Sequence, residues 1–186
     1  ELEHQLVDSG AAAIVVLENF AHTVQEVLQR NPALSLTVFT TEVGDMFPVV
    51  KEVVTNVVVK YFRKMVPTWE IPGAIEFNVA LRVGRTMALN EPAVCHADTA
   101  FLQYTGGTTG VAKGVVLTHG NMVANLQQLS AWIAHDLIDG QETLVCPLPL
   151  YHVYALTCSL VFIKIGAHTV LITNPRDMPA FVQELK

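Results

Sequence analysis

Three glycines, Gly106, Gly107 and Gly110, fall within five positions, and β-patterned runs flank them on both sides. Residues 100–104 (AFLQY) read as a strand, 105–113 as a glycine-rich loop, and 114–117 (GVVL) as a second strand. Glycines let backbone N–H groups turn toward one point without Cβ clashes. Successive N–H groups in such turns make a concave nest for anions. Thr105, Thr108 and Thr109 add hydroxyl donors, and Lys113 supplies a mobile positive charge for a phosphate oxygen. A Walker loop needs Gly-Lys followed by Ser or Thr and opens directly into a helix. Here Lys113 lies between Ala112 and Gly114, and Val115-Val116-Leu117 continues as strand, so that pattern fails. A glycine-rich turn with no ligand is the plainer alternative, but it does not need three threonines and a lysine.

The surrounding pattern is α/β. Residues 2–9 predict a helix closed by Gly10, and 11–17 predict a buried strand. A helix over 21–29, stopped at Asn31-Pro32, and a strand over 36–40 complete a βαβ unit with a parallel sheet. After the loop, Thr118 is placed to cap a helix whose Met122, Leu126, Leu129 and Ile133 share one face. A strand over 143–146, a buried helix over 153–165 ended by Gly166, and a strand over 169–172 follow. Asp177 is placed to cap a last helix with Pro179 in its first turn. The expected organisation is a βαβ unit over 1–40, an amphipathic helix and irregular connector over 41–98, and a loop-bearing segment over 99–186.

The amphipathic helix spans 49–65. Val50, Val53, Val54, Val57, Val58, Tyr61, Phe62 and Met65 follow the three-four spacing of one face, opposite Lys51, Glu52, Asn56, Lys60, Arg63 and Lys64. The commoner arrangement packs such a face on the parent domain. A basic end also suits peripheral contact with an anionic membrane surface.

Charged residues make up only 15% of the chain and hydrophobic ones 51%, with mean hydropathy +0.39, against about 25% charged in typical soluble domains. Partner structure over some faces is therefore expected. Glu1 is not a start residue, and Lys186 falls inside an amphipathic pattern, so the sequence is expected to be a piece of a longer protein. A formal net charge of −6 gives no electrostatic footprint for nucleic acid. Residues 143–163 carry no Asp, Glu, Lys or Arg, but Pro147 and Pro149 break any spanning helix there. Cys95, Cys146 and Cys158 have neither metal nor disulfide spacing and read as small buried hydrophobes in a reducing, cytoplasmic compartment. His4, His22, His96, His135 and His168 share no ligand spacing, and no metal site is expected.

The stretches 1–20 (ELEHQLVDSGAAAIVVLENF), 101–121 (FLQYTGGTTGVAKGVVLTHGN), 147–157 (PLPLYHVYALT) and 171–179 (LITNPRDMP) resemble the adenylate-forming superfamily. Within it, the chain resembles the N-terminal domain of bacterial long-chain fatty acid–CoA ligases. The resemblance implies part of a large α/β domain with mixed or mostly parallel sheets flanked by helices. It also implies a two-step reaction. A carboxylate attacks the α-phosphate of Mg-ATP, expelling pyrophosphate; the thiol of coenzyme A then displaces AMP. Thr105, Gly106, Gly107, Thr108, Thr109, Gly110 and Lys113 would hold the departing phosphates. His152 would lie near the carboxylate, with Tyr151, Val153, Tyr154 and Leu156 lining an acyl pocket. The bland alternatives are that His152 caps a helix, that the aromatics are core, and that His119 and Arg176-Asp177 serve helix starts. Relatives carry further motifs for adenine, Mg²⁺, ribose and a mobile C-terminal domain that do not occur in these residues, so the chain alone is expected to be inactive. A shorter-chain or aryl-acid ligase, and a non-catalytic phosphate-binding or membrane-docking module, stay open as alternatives.

Overall fold

The computed structural model describes residues 1–106 and 110–185, with Ala180 by its backbone alone. The chain divides into two units, Glu1–Glu91 and Pro92–Lys186.

In the first unit, α1 (Leu2–Ser9) ends at Gly10, whose φ of 62° lets its own N–H reach the Val7 carbonyl and the Ala11 N–H the Leu6 carbonyl. β1 (Ala13–Leu17) feeds α2 (Glu18–Arg30), and β2 (Thr37–Thr41) returns parallel, pairing Ala13 with Thr37 and Leu17 with Thr41. The expected βαβ unit is thus present, with α2 starting at Glu18 rather than Ala21. No loop separates β1 from α2: extended Leu17 is itself the N-cap, and Glu18 complements the positive helix start. Ala21 and Val24 of α2 are buried against Val38 of β2 and Ile71, with Ile14, Val16 and Leu28 packed around them. That three-four spacing on the helix against alternation on the strands makes one core.

The segment expected to be an irregular connector holds β3 (Ile75–Glu76), parallel to β2, and α4 (Phe77–Gly84). Eight residues give too short a period to stand out beside Pro72 and Gly73.

α3 (Val49–Val57) continues as a π-helical turn over Val58–Phe62, where the Arg63 N–H donates to the Val58 carbonyl at 2.8 Å. The helix stops short of the expected Met65 because Lys64 takes φ 50°, and the Met65 N–H closes onto the Val59 carbonyl at 3.0 Å. Its orientation is the larger surprise. The half-buried positions are Glu52, Thr55, Asn56, Val59 and Lys60, while the valine face is exposed.

In the second unit, β4 (Thr99–Thr105) and β5 (Lys113–Thr118) pair antiparallel. α5 (His119–Ile133) follows, with Met122, Leu126, Leu129 and Ile133 on its more buried side and Trp132 exposed. β6 (Thr143–Cys146), α6 (Val153–Lys164) and β7 (His168–Leu171) form a second βαβ unit, with Thr143 opposite His168 in a parallel pair. Lys164 Nζ donates to Ser130 Oγ of α5 at 3.2 Å. α7 (Met178–Glu184) begins just after Asp177. Among the described residues no helix is long and apolar enough to cross a membrane; the uncharged run at 143–163 is divided between β6, a proline turn and α6. Cys146 is buried, but Cys95 is exposed on a turn, against expectation. The architecture is α/β, with two parallel sheets and one antiparallel pair.

Candidate functional site

The glycine loop hangs from the β4–β5 hairpin. The register sets Thr105 directly opposite Lys113, so these two expected site residues flank the mouth of the loop from neighbouring strands. Thr105, Gly106, Gly110 and Lys113 are all exposed. Gly110 has φ 98°, a conformation L side chains rarely adopt. Gly107, Thr108 and Thr109 lie outside the described residues.

One pair down the ladder, Gly114 faces Tyr104. A Cβ added at Gly114 would sit 3.0 Å from Tyr104 Cζ, so the missing side chain makes room for the ring.

β5 passes directly into α5 through a capping box. Thr118 Oγ1 accepts from the Asn121 N–H at 3.1 Å, and Asn121 Oδ1 accepts from the Thr118 N–H at 3.1 Å. The turn before β4 holds the same helix start: the His119 N–H donates to the Asp98 carbonyl at 3.0 Å and the Gly120 N–H to the His96 carbonyl at 2.8 Å. Asp98 Oδ2 accepts from the Cys95 N–H at 2.7 Å, which holds the Asp98 carboxyl below its ordinary value. Gly120 is close-packed, since a Cβ there would meet the His96 carbonyl at 3.0 Å. His119 therefore occupies a fixed helix start, in line with the plainer reading of that residue.

The second group of expected residues surrounds the start of α6. His152 is its N-cap: Nδ1 accepts from the Tyr154 N–H at 3.3 Å, and the His152 N–H donates to the Pro149 carbonyl at 2.9 Å. This bond requires Nδ1 to carry no proton. Tyr151 is 78% exposed and Tyr154 63%, Val153 is exposed and Leu156 half-buried, so the residues expected to line an acyl pocket form an open surface here. Hydrogen bonding to Cys158, one turn on, raises the Tyr154 phenol above its ordinary value.

The two groups are connected by Gln103, a residue that no sequence motif singles out. Gln103 Nε2, on β4, donates to the Tyr151 carbonyl. The bond ties the loop hairpin to the turn that presents His152. Nothing in the run Ala100-Phe101-Leu102-Gln103-Tyr104 marks it, since burial along β4 does not alternate. Among the described residues no group of three His, Cys, Asp or Glu side chains is disposed to hold a metal ion.

A strand–glycine loop–strand running into a capped helix, inside this α/β scaffold, has close counterparts: the model of the AMP-binding enzyme family matches residues 1–186, and the chain belongs to that family. It is 51% identical over 186 residues to a long-chain-fatty-acid–CoA ligase of Salmonella typhimurium and 46% identical over 190 residues to one of Haemophilus influenzae, covering 100% of this chain in both cases. The chain spans 33% of the length of those relatives. Among solved structures it resembles a red-emitting luciferase of Phrixothrix hirtus (TM-score 0.64, 18% identity, covering 93% of this chain and 29% of that one). It also resembles ATP-bound MatB of Rhodopseudomonas palustris (TM-score 0.61, 18% identity, covering 94% and 28%). At such identities the structural likeness speaks for the fold alone.

Proposed function

We propose that this chain is the phosphate-handling and acyl-side part of an ATP-dependent, AMP-forming long-chain fatty acid–CoA ligase. The observation that carries the proposal is Thr105 facing Lys113 across the mouth of a glycine loop whose Gly110 takes a left-handed backbone. A glycine-rich backbone, a hydroxyl and an ammonium at one opening suit the β- and γ-phosphates of ATP, the group that must leave. Thr105, Gly106, Gly107, Thr108, Thr109, Gly110 and Lys113 hold those phosphates in this reading.

The fatty carboxylate oxygen attacks the α-phosphorus, the bond to pyrophosphate breaks, and an acyl-adenylate forms. The sulfur of coenzyme A then attacks the acyl carbon, its proton is lost, and AMP leaves. Loop and lysine act by orientation and charge stabilisation, with no covalent intermediate on the protein. His152 stands beside the reacting carboxylate, and Tyr151, Val153, Tyr154 and Leu156 become walls of the acyl channel once the rest of the parent covers them. Gln103 is a positioning residue that couples the phosphate loop to that turn. Mg²⁺ would neutralise phosphate charge, with its protein ligands supplied mainly from beyond these residues. We place the parent in the cytoplasm, drawing its long-chain substrate from a membrane surface.

The test is a substrate screen on the whole parent. Long-chain acids should support exchange of labelled pyrophosphate into ATP and yield acyl-CoA when coenzyme A is added. Exchange supported only by short or aryl acids would move the parent to another branch of the family. No exchange with any acid would end the ligase reading.

A further inference from the structure

α3 is attached to its unit by the side that an amphipathic helix ordinarily turns to water. Asn56 Oδ1 accepts from the Gly44 N–H at 2.6 Å, and Asn56 Nδ2 donates to Glu42 Oε2 at 2.7 Å. Lys60 Nζ lies 3.0 Å from Glu18 Oε2 and 3.8 Å from Glu42 Oε1. Asn78 Nδ2 donates to Glu52 Oε1 at 3.3 Å. These bonds fasten one helix face, at positions 52, 56 and 60. They leave Val50, Val53, Val54, Val57, Tyr61 and Phe62 on the other, with Val50 79% exposed, Val54 57% and Phe62 77%. A helix whose polar side is occupied in this way cannot bury its valines by rolling over, so something outside the unit must cover them.

Charge identifies the cover. Lys51, Lys60, Arg63 and Lys64 are four of the chain's eleven basic residues, in a protein of net charge −6. Lys51, Arg63 and Lys64 are exposed at the two ends of the valine face. Lys51 Nζ also lies 4.3 Å from the centre of the Phe47 ring, a cation over an aromatic face. An apolar stripe with aromatic residues at one end and cations at both ends matches a lipid–water boundary carrying negative headgroups. We propose that α3 lies flat on an anionic phospholipid surface, inserting Val50, Val54, Tyr61 and Phe62 while Lys51, Arg63 and Lys64 meet the headgroups. This gives the membrane contact in our functional reading a definite docking face, yet it stands on α3 alone and does not depend on the reaction.

The experiment uses the full-length parent in flotation with vesicles of phosphatidylcholine, with or without phosphatidylglycerol. Wild type should partition to the anionic vesicles about tenfold better than to the neutral ones. A Val50→Ser/Val54→Ser/Phe62→Ser variant should lose that binding about tenfold, with an unchanged melting temperature and unchanged pyrophosphate exchange on a soluble acid. Undiminished flotation would overturn the proposal. So would a melting temperature lowered by several degrees, which would place the face inside the parent's own fold, or a wild-type dimer that the variant turns into a monomer. Should the triple variant not fold, Arg63→Gln/Lys64→Gln changes only exposed cations; anionic binding that survives it overturns the proposal equally.

Discussion

Gly114 shows how much one absent methyl group can decide. The Tyr104 ring fills the space a Cβ would take, and both residues stand next to the Thr105–Lys113 pair at the loop mouth. Gly114→Ala should therefore cost about 1–3 kcal/mol of stability, as small-to-large changes in close-packed positions do. Pairing it with Tyr104→Ala should cost less than the two changes summed. Urea denaturation of the four proteins measures this, and strict additivity would mean the ring simply swings away. His152 offers a second test at this scale. Asn is a good N-cap, so His152→Asn keeps the cap on α6 and removes the imidazole. The functional reading expects slower adenylation at unchanged stability; adenylation at the wild-type rate would leave His152 as a cap only. The sequence pointed to Lys113, Thr105 and His152 because chemically distinctive residues stood in short, punctuated segments. It could not point to Gln103, whose importance comes from a bond across 48 positions of chain.

At the scale of elements, what was readable depended on length and period. The helix of residues 119–133 was foreseen from its cap and its inward stripe, and both are present. Thr118→Ala should cost about 1 kcal/mol, measurable by denaturant titration; no loss would mean the clamp on His119 and Gly120 from residues 96–98 suffices. α3 is the instructive failure. Its period was plain, but period says only that a helix has two faces, and half-buried hydrogen bonds rather than hydrophobicity selected which one faces inward. Those bonds carry a pH signature. Burial foremost, with the Glu18 charge behind it, raises the Glu42 carboxyl above its ordinary 4.5. The folded state then holds the Glu42 proton more tightly than the unfolded chain does. The contribution is fully present below pH 4.5 and is lost as pH rises through the raised value. Lys60 is raised mainly by its hydrogen bond to Glu18, and its own contribution is lost only at alkaline pH above 10.5, outside that window. Stability should thus fall across the mildly acidic range as pH rises, and Glu42→Gln should flatten the fall. Equal slopes in the two proteins would count against the network's control of α3.

At the scale of the whole molecule, the parallel β1–β2 and β6–β7 pairs followed from apolar runs broken at Gly and Pro around a crossover helix, which leaves such strands little other choice, whereas the short β3 beside β2 did not. The exposed apolar side chains of each unit, the valines of α3 in the first and Trp132, Tyr151 and Tyr154 in the second, had their counterpart in the low charged fraction, which anticipated faces needing cover but not which faces. The chain spans a third of the length of its ligase relatives, and in the proposed reading the reaction belongs to the full-length parent. The 186-residue chain by itself should form no acyl-CoA, and detectable product from it would show that the reaction needs none of the motifs these residues lack.

The most direct measurement is labelled-pyrophosphate exchange into ATP by the full-length parent carrying Lys113→Ala. Losing one charge-assisted contact to a leaving phosphate should slow exchange roughly 10- to 100-fold while the fold, read by thermal melting, stays intact. Exchange at the wild-type rate would contradict the central claim that the loop closed by Thr105 and Lys113 grips the triphosphate.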